Sequence, residues 1–98
     1  MEKLTKLTEL VISDNNISDV SPLRNMKDLT YLSAKRNQIS DVTPLKGLVK
    51  LQLLFLDRNK ITDIMPLQSL KKLSTASFRF NPVINKACPF ENKGFCRF

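Results

Sequence analysis

Residues 29–50 read LTYLSAKRNQISDVTPLKGLVK, and residues 51–72 read LQLLFLDRNKITDIMPLQSLKK. Laid one above the other they match in phase, and residues 7–28, LTELVISDNNISDVSPLRNMKD, extend the match upstream. LSTASFRFNPVI begins the pattern again at Leu73 before the sequence departs from it. The spacing divides one domain, residues 1–98, into a partial repeat 1–6, repeats 7–28, 29–50 and 51–72, and a last repeat with a C-terminal cap, 73–98. A unit of 22 residues is too short to enclose a core by itself, so such units are stable only when stacked on their neighbours.

The repeating columns carry their own chemistry. Leu7, Leu29, Leu51 and Leu73 open each unit, Leu10, Leu32, Leu54 and Ala76 stand fourth, and Ile12, Ala34, Leu56 and Phe78 stand sixth. Alternation of the fourth and sixth columns inward with the third and fifth outward is the signature of a short strand. Asn15, Asn37, Asn59 and Asn81 follow where the chain must leave the sheet. An inward-facing amide has donors and an acceptor for turn groups that would otherwise be buried unpaired, so the four are expected to form a ladder. Asp19, Asp41 and Asp63 each precede a proline by three residues, which suits a capped, proline-started helical turn on the opposite side. Residues so periodic are scaffold, and function is sought where repeats differ and side chains point outward.

The pattern LxxLxLxxNxI, continued by S/T-D-V/I-x-P-L-x-x-L, resembles the leucine-rich repeat, in its 22-residue, internalin-like bacterial class. The resemblance covers residues 4 to 85. It implies an α/β fold: a right-handed solenoid with a parallel β-sheet on the concave face, short 3-10 or helical turns on the convex face, and a C-terminal cap. It also implies a protein–protein interaction module with protein ligands.

Outward strand positions place Tyr31, Leu53 and Phe55 next to one another, with Val11 nearby. Lys35, Arg36, Arg58 and Arg79 border them, interrupted by Asp57. An aromatic and aliphatic cluster with an Arg/Lys border has the composition of a protein-binding hot spot, here facing a partner with an acidic surface. The alternative is a structural segment, a C-terminal array and cap that completes a longer leucine-rich repeat protein.

At the ends the pattern changes. Cys88 replaces the column proline, and Phe90, Phe95 and Phe98 are placed to fold over the last turn as an apolar lid. Cys88 and Cys96 enclose a short loop, and the sequence leaves a disulfide staple and two reduced thiols equally open. At the N-terminus Leu4-Thr-Lys-Leu7 matches Met26-Lys-Asp-Leu29, so the sequence starts in mid-repeat. That uncapped end is expected to support self-association.

Composition excludes more than it selects. No apolar run approaches the ~18 residues of a membrane span, and the start MEKLTKLTEL lacks the apolar stretch of a signal peptide, so the sequence assigns no compartment. There is no His, only two Gly and two Cys, which removes imidazole chemistry, phosphate-cradling loops and tetrahedral zinc; no cofactor and no enzymatic activity are expected. One carboxylate per turn is too few for calcium. The formal net charge is +7, but the basic residues are split. Arg24, Lys27, Lys46, Lys50, Lys71 and Lys72 fall toward the convex side, away from the aromatic cluster. Nucleic-acid or polyanion binding needs charge and stacking rings on one face, so it ranks below protein binding.

Overall fold

The structure, a computed structural model, describes residues 6–84 and 96–98. Among these residues five strands, β1 (Glu9–Val11), β2 (Tyr31–Ser33), β3 (Leu53–Phe55), β4 (Thr75–Ser77) and β5 (Cys96–Arg97), pair in parallel in sequence order. Glu9, Tyr31, Leu53 and Thr75 stand in one register column, and Val11, Ser33, Phe55 and Ser77 in another. The step from β4 to β5 is different: Ala76 pairs with Cys96, 20 residues on rather than 22, because the periodic columns have ended.

Opposite the sheet lie the 3-10 turns Ser21–Asn25, Thr43–Gly47 and Met65–Ser69. Between the two layers the apolar columns fill the core: Leu32, Leu54 and Ala76 under the strands, Leu23, Leu45 and Leu67 from the turns, all at 2% exposure or less. Each turn starts one residue before its proline, and the aspartate stands two residues before that start. From there Asp19, Asp41 and Asp63 accept the first backbone N–H of the turn, each at 2.9 Å. The expected cap is present as a carboxylate–backbone bond, although the residue flanking each turn is Val20, Val42 or Ile64.

These bonds have a consequence for pH. The Ser21 hydroxyl and then its N–H hold the Asp19 carboxyl below the ordinary 3.8, and the Thr43 hydroxyl and N–H do the same for Asp41. A carboxyl depressed in the folded state stabilises the fold above its unfolded value and loses that contribution as pH falls through the folded value. Stability is therefore expected to fall at acid pH, below 3.8, more gently in a D19N/D41N variant that retains an acceptor without the titration. Thermal melts followed from neutral to strongly acid solution test this; equal acid slopes for the two chains would refute it.

The turn leaving the sheet is built from two adjacent columns. Asp14, Arg36, Arg58 and Phe80 all have left-handed backbones, with φ of 63°, 56°, 60° and 61°. Left-handed geometry costs a residue with a side chain roughly 1–2 kcal/mol, and it turns the following asparagine toward the core. Asn37 Oδ1 then accepts the N–H groups of Asn15 (3.2 Å) and Ile17 (3.1 Å), while its Nδ2 donates to the carbonyls of Ile12, Ala34 and Lys35. Asn59 Oδ1 accepts from Ile39 at 3.0 Å, and Asn81 Oδ1 from Asn59 and Ile61, each at 3.1 Å.

The ends differ. Leu7, Leu10, Ile12 and Ile17 are only partly buried, unlike their counterparts in later turns. At the other end Phe98 stacks on Phe78, with ring centroids 5.9 Å apart. Phe90, Phe95 and Cys88 lie outside the described residues. Cys96 is disulfide-bonded.

Candidate functional site

The concave face is the outward side of the strands, and its shape follows from side-chain size. Phe55 on β3 stands between Ser33 and Ser77 on the neighbouring strands. Both serines point outward yet are buried, at 6% and 3% exposure, because the larger residues around them close over their short side chains. Phe55 instead meets Tyr31, with ring centroids 5.8 Å apart and planes tilted by 50°. Such tilted pairs contribute about 0.5–1.5 kcal/mol beyond area burial. Leu53 is Tyr31's register partner, so Tyr31, Leu53 and Phe55 form one half-buried cluster. Val11 is 66% exposed, and its register partner is Ser33 on β2, so it stands across that strand from Phe55.

The basic border divides by what each residue already contacts. Lys35 Nζ sits over the Phe55 ring, 5.2 Å from its centroid. Arg36 pairs with Asp14 at 3.1 Å, both side chains about 60% exposed, an exposed pair contributing about 0–1 kcal/mol. The Arg58 guanidinium lies 4.3 Å from the Phe80 ring centroid. Arg79 is exposed and makes no ion pair with any described residue. Lys35 thus extends the aromatic cluster, whereas Arg36 and Arg58 are held along the rim.

Two side chains outside the sequence-derived site become prominent. Phe80 is 70% exposed although it carries a large ring on a left-handed backbone. Its signal was an aromatic in a column otherwise occupied by Asp14, Arg36 and Arg58. Asp57, between Lys35 and Arg79 in its column, has a buried Oδ1 with no hydrogen-bond partner. It pairs with neither cation, and no substitution pattern in the sequence announces that.

On the convex side, Lys50 pairs with Asp28 at 2.9 Å. Among the described residues no group of acidic, His or Cys side chains is placed to hold a metal ion, and no helix is long and apolar enough to cross a membrane.

Residues 5–47 and 27–72 match the family model described as leucine-rich repeats in two copies. An internalin (inlF) from Listeria monocytogenes is similar in structure, with a TM-score of 0.84 and 34% identity over 90% of this chain and 26% of that one. A second Listeria internalin (inlC2) matches with a TM-score of 0.86 and 38% identity over 97% of this chain and 42% of its own. A leucine-rich repeat protein from Leptospira interrogans matches with a TM-score of 0.73 and 30% identity over 82% and 21% of the two chains. The chain therefore spans between about a fifth and two fifths of these proteins. No curated protein matches it.

Proposed function

We infer, because this chain belongs to the leucine-rich repeat family, that it is a protein-interaction module whose partner docks on the concave sheet. The observation carrying this reading is the Tyr31–Phe55 ring pair, held half-exposed on a rigid sheet with Leu53 alongside and Lys35 over it. Rigid aromatic anchors lose little conformational entropy on binding and dominate interface energies. Lys35 and Arg79 are the cations best placed to meet acidic groups of the partner, with Arg36 and Arg58 adding long-range attraction from the rim. Nothing in this arrangement requires a reacting group.

Affinity capture from the source organism, with wild type beside the Y31A/F55A double variant, tests the reading. Binding of the captured protein is expected to weaken by about 2 kcal/mol or more, roughly 30-fold. A urea denaturation curve on the same variant separates loss of contact from loss of fold. Undiminished affinity in a folded double variant removes this face as the binding surface.

The N-terminal end favours a second reading, in which the chain is a stacking segment. Among the described residues none donates to Asn15 Oδ1, whereas Asn37 Oδ1 accepts two N–H groups. Beside it Ile12, Ile17, Val20, Pro22 and Leu23 line a hollow of about 220 Å³. This end fits another leucine-rich turn, from a longer polypeptide or from a second copy. A mass by light scattering that stays monomeric at high concentration removes the second copy.

A further inference from the structure

Asp57 is placed where a side chain can tie one strand to the next, yet it does not do so. Its counterpart Ser13 shows what the position allows: the Ser13 hydroxyl pairs with Ser33 Oγ at 3.1 Å and accepts the Lys35 N–H at 3.1 Å. Ser77 occupies the place of Ser33 one strand beyond Asp57, so a serine at 57 would find the same partner. The aspartate instead leaves Oδ1 buried and unsatisfied, which is destabilising. Lys35 and Arg79 stand on either side of it in the column, and neither pairs with it. The result is a row across the sheet reading positive, negative, positive, at strand spacings of about 4.8 Å, beside the Tyr31–Phe55 cluster.

We propose that Asp57 is the specificity-determining residue of the concave face, and that the face fits a partner helix laid across the strands with an acid–base–acid row. The row recurs at every third or fourth position of the helix, with apolar residues toward Phe55. Neighbouring side chains on a helix face lie about 5–6 Å apart, which matches the strand spacing. The outer carboxylates meet Lys35 and Arg79, and the central cation faces the negative charge of the half-buried Asp57. A uniformly acidic segment would be attracted by the net charge of the row but would set a carboxylate against Asp57, and such a juxtaposition rejects wrong partners. This inference rests on the concave-face reading and adds to it the charge order of the partner.

The test uses three synthetic alanine-rich helical peptides with the same leucines and charge rows Glu-Lys-Glu, Glu-Glu-Glu and Lys-Glu-Lys, titrated into the isotopically labelled chain. Wild type is expected to bind Glu-Lys-Glu about tenfold more tightly than Glu-Glu-Glu, with amide shifts at Lys35, Asp57 and Arg79. In D57S that preference is expected to fall to within about twofold, while the urea midpoint rises through the bond to Ser77. Wild type binding Glu-Glu-Glu on the concave amides as tightly as Glu-Lys-Glu overturns the proposal and leaves concave docking standing. Preference for Glu-Lys-Glu unchanged in D57S also overturns it. If no peptide shifts the concave amides, the docking reading fails and takes this inference with it.

Discussion

Truncating Phe78 to alanine is expected to destabilise the chain by about 3–5 kcal/mol. Phe78 is 1% exposed, and it belongs to the sixth column, where Ala34 and Leu56 precede it. From Ala34 through Leu56 to Phe78 the side chains grow in volume, so the last ring closes the core instead of filling its middle. Phe98 stacks on it, and the Phe78 N–H donates to the Arg97 carbonyl at 2.7 Å, tying β5 to the sheet edge. Alanine would leave a cavity between Leu56 and Phe98 and remove the surface on which β5 rests. F78L, which restores the side chain found at position 56, is expected to recover most of the loss. Urea denaturation followed by circular dichroism measures both; a loss below about 1 kcal/mol for F78A would mean that the site collapses around the smaller residue.

The second large effect is polar. Asn59→Ala is expected to cost about 1–3 kcal/mol, because Asn59 is 4% exposed and serves several buried groups at once. Its Oδ1 accepts the Ile39 N–H at 3.0 Å, and its Nδ2 donates to the carbonyls of Ala34 (3.0 Å) and Leu56 (2.9 Å). Alanine strands the Ile39 N–H and takes one of two amide donors from each carbonyl, since Ala34 also accepts from Asn37 and Leu56 from Asn81. Asn15→Ala provides the internal comparison: the Asn15 amide donates to Ile12 and Ser13, but its Oδ1 accepts from none of the described residues, and the residue is exposed. Its loss is expected to cost less than about 1 kcal/mol. Equal midpoints for the two variants, or no change at Asn59, would show that the ladder does not support the fold.

What the sequence made legible was whatever is repeated. Columns aligned at the 22-residue period became the register columns of the sheet, so Tyr31, Leu53 and Phe55 could be placed side by side before any coordinates. The third and fifth columns do face away from the core, yet Ser33 and Ser77 are buried there by their larger neighbours. Alternation gives direction, and neighbouring volume decides exposure. Contacts between non-repeating side chains were also illegible: the pairing of Arg36 with Asp14 and the stacking of Arg58 on Phe80 depend on rotamers rather than period. The sequence read Asp57 as an interruption in a basic row. Only the geometry shows it as a carboxylate that two nearby cations leave unpaired. Strand β5 was hidden for another reason: its offset of 20 residues falls outside the period that revealed the rest.

The asparagine ladder also bears on how a protein of this kind can change length. Asn37, Asn59 and Asn81 each donate to their own turn and the one before, and accept only from the turn before, as Asn37 does from Asn15 and Ile17, and Asn81 from Asn59 and Ile61. The bonding pattern therefore has a grain, running from one end of the stack to the other, and every internal junction uses the same kind of asparagine bond. Duplicating or deleting one whole internal unit in the gene leaves each remaining junction with its full set of bonds. A tandem DNA event too coarse to be tolerated in most folds is here close to neutral for the backbone. The variable outward positions then travel with the unit, so length and binding chemistry can evolve in the same step.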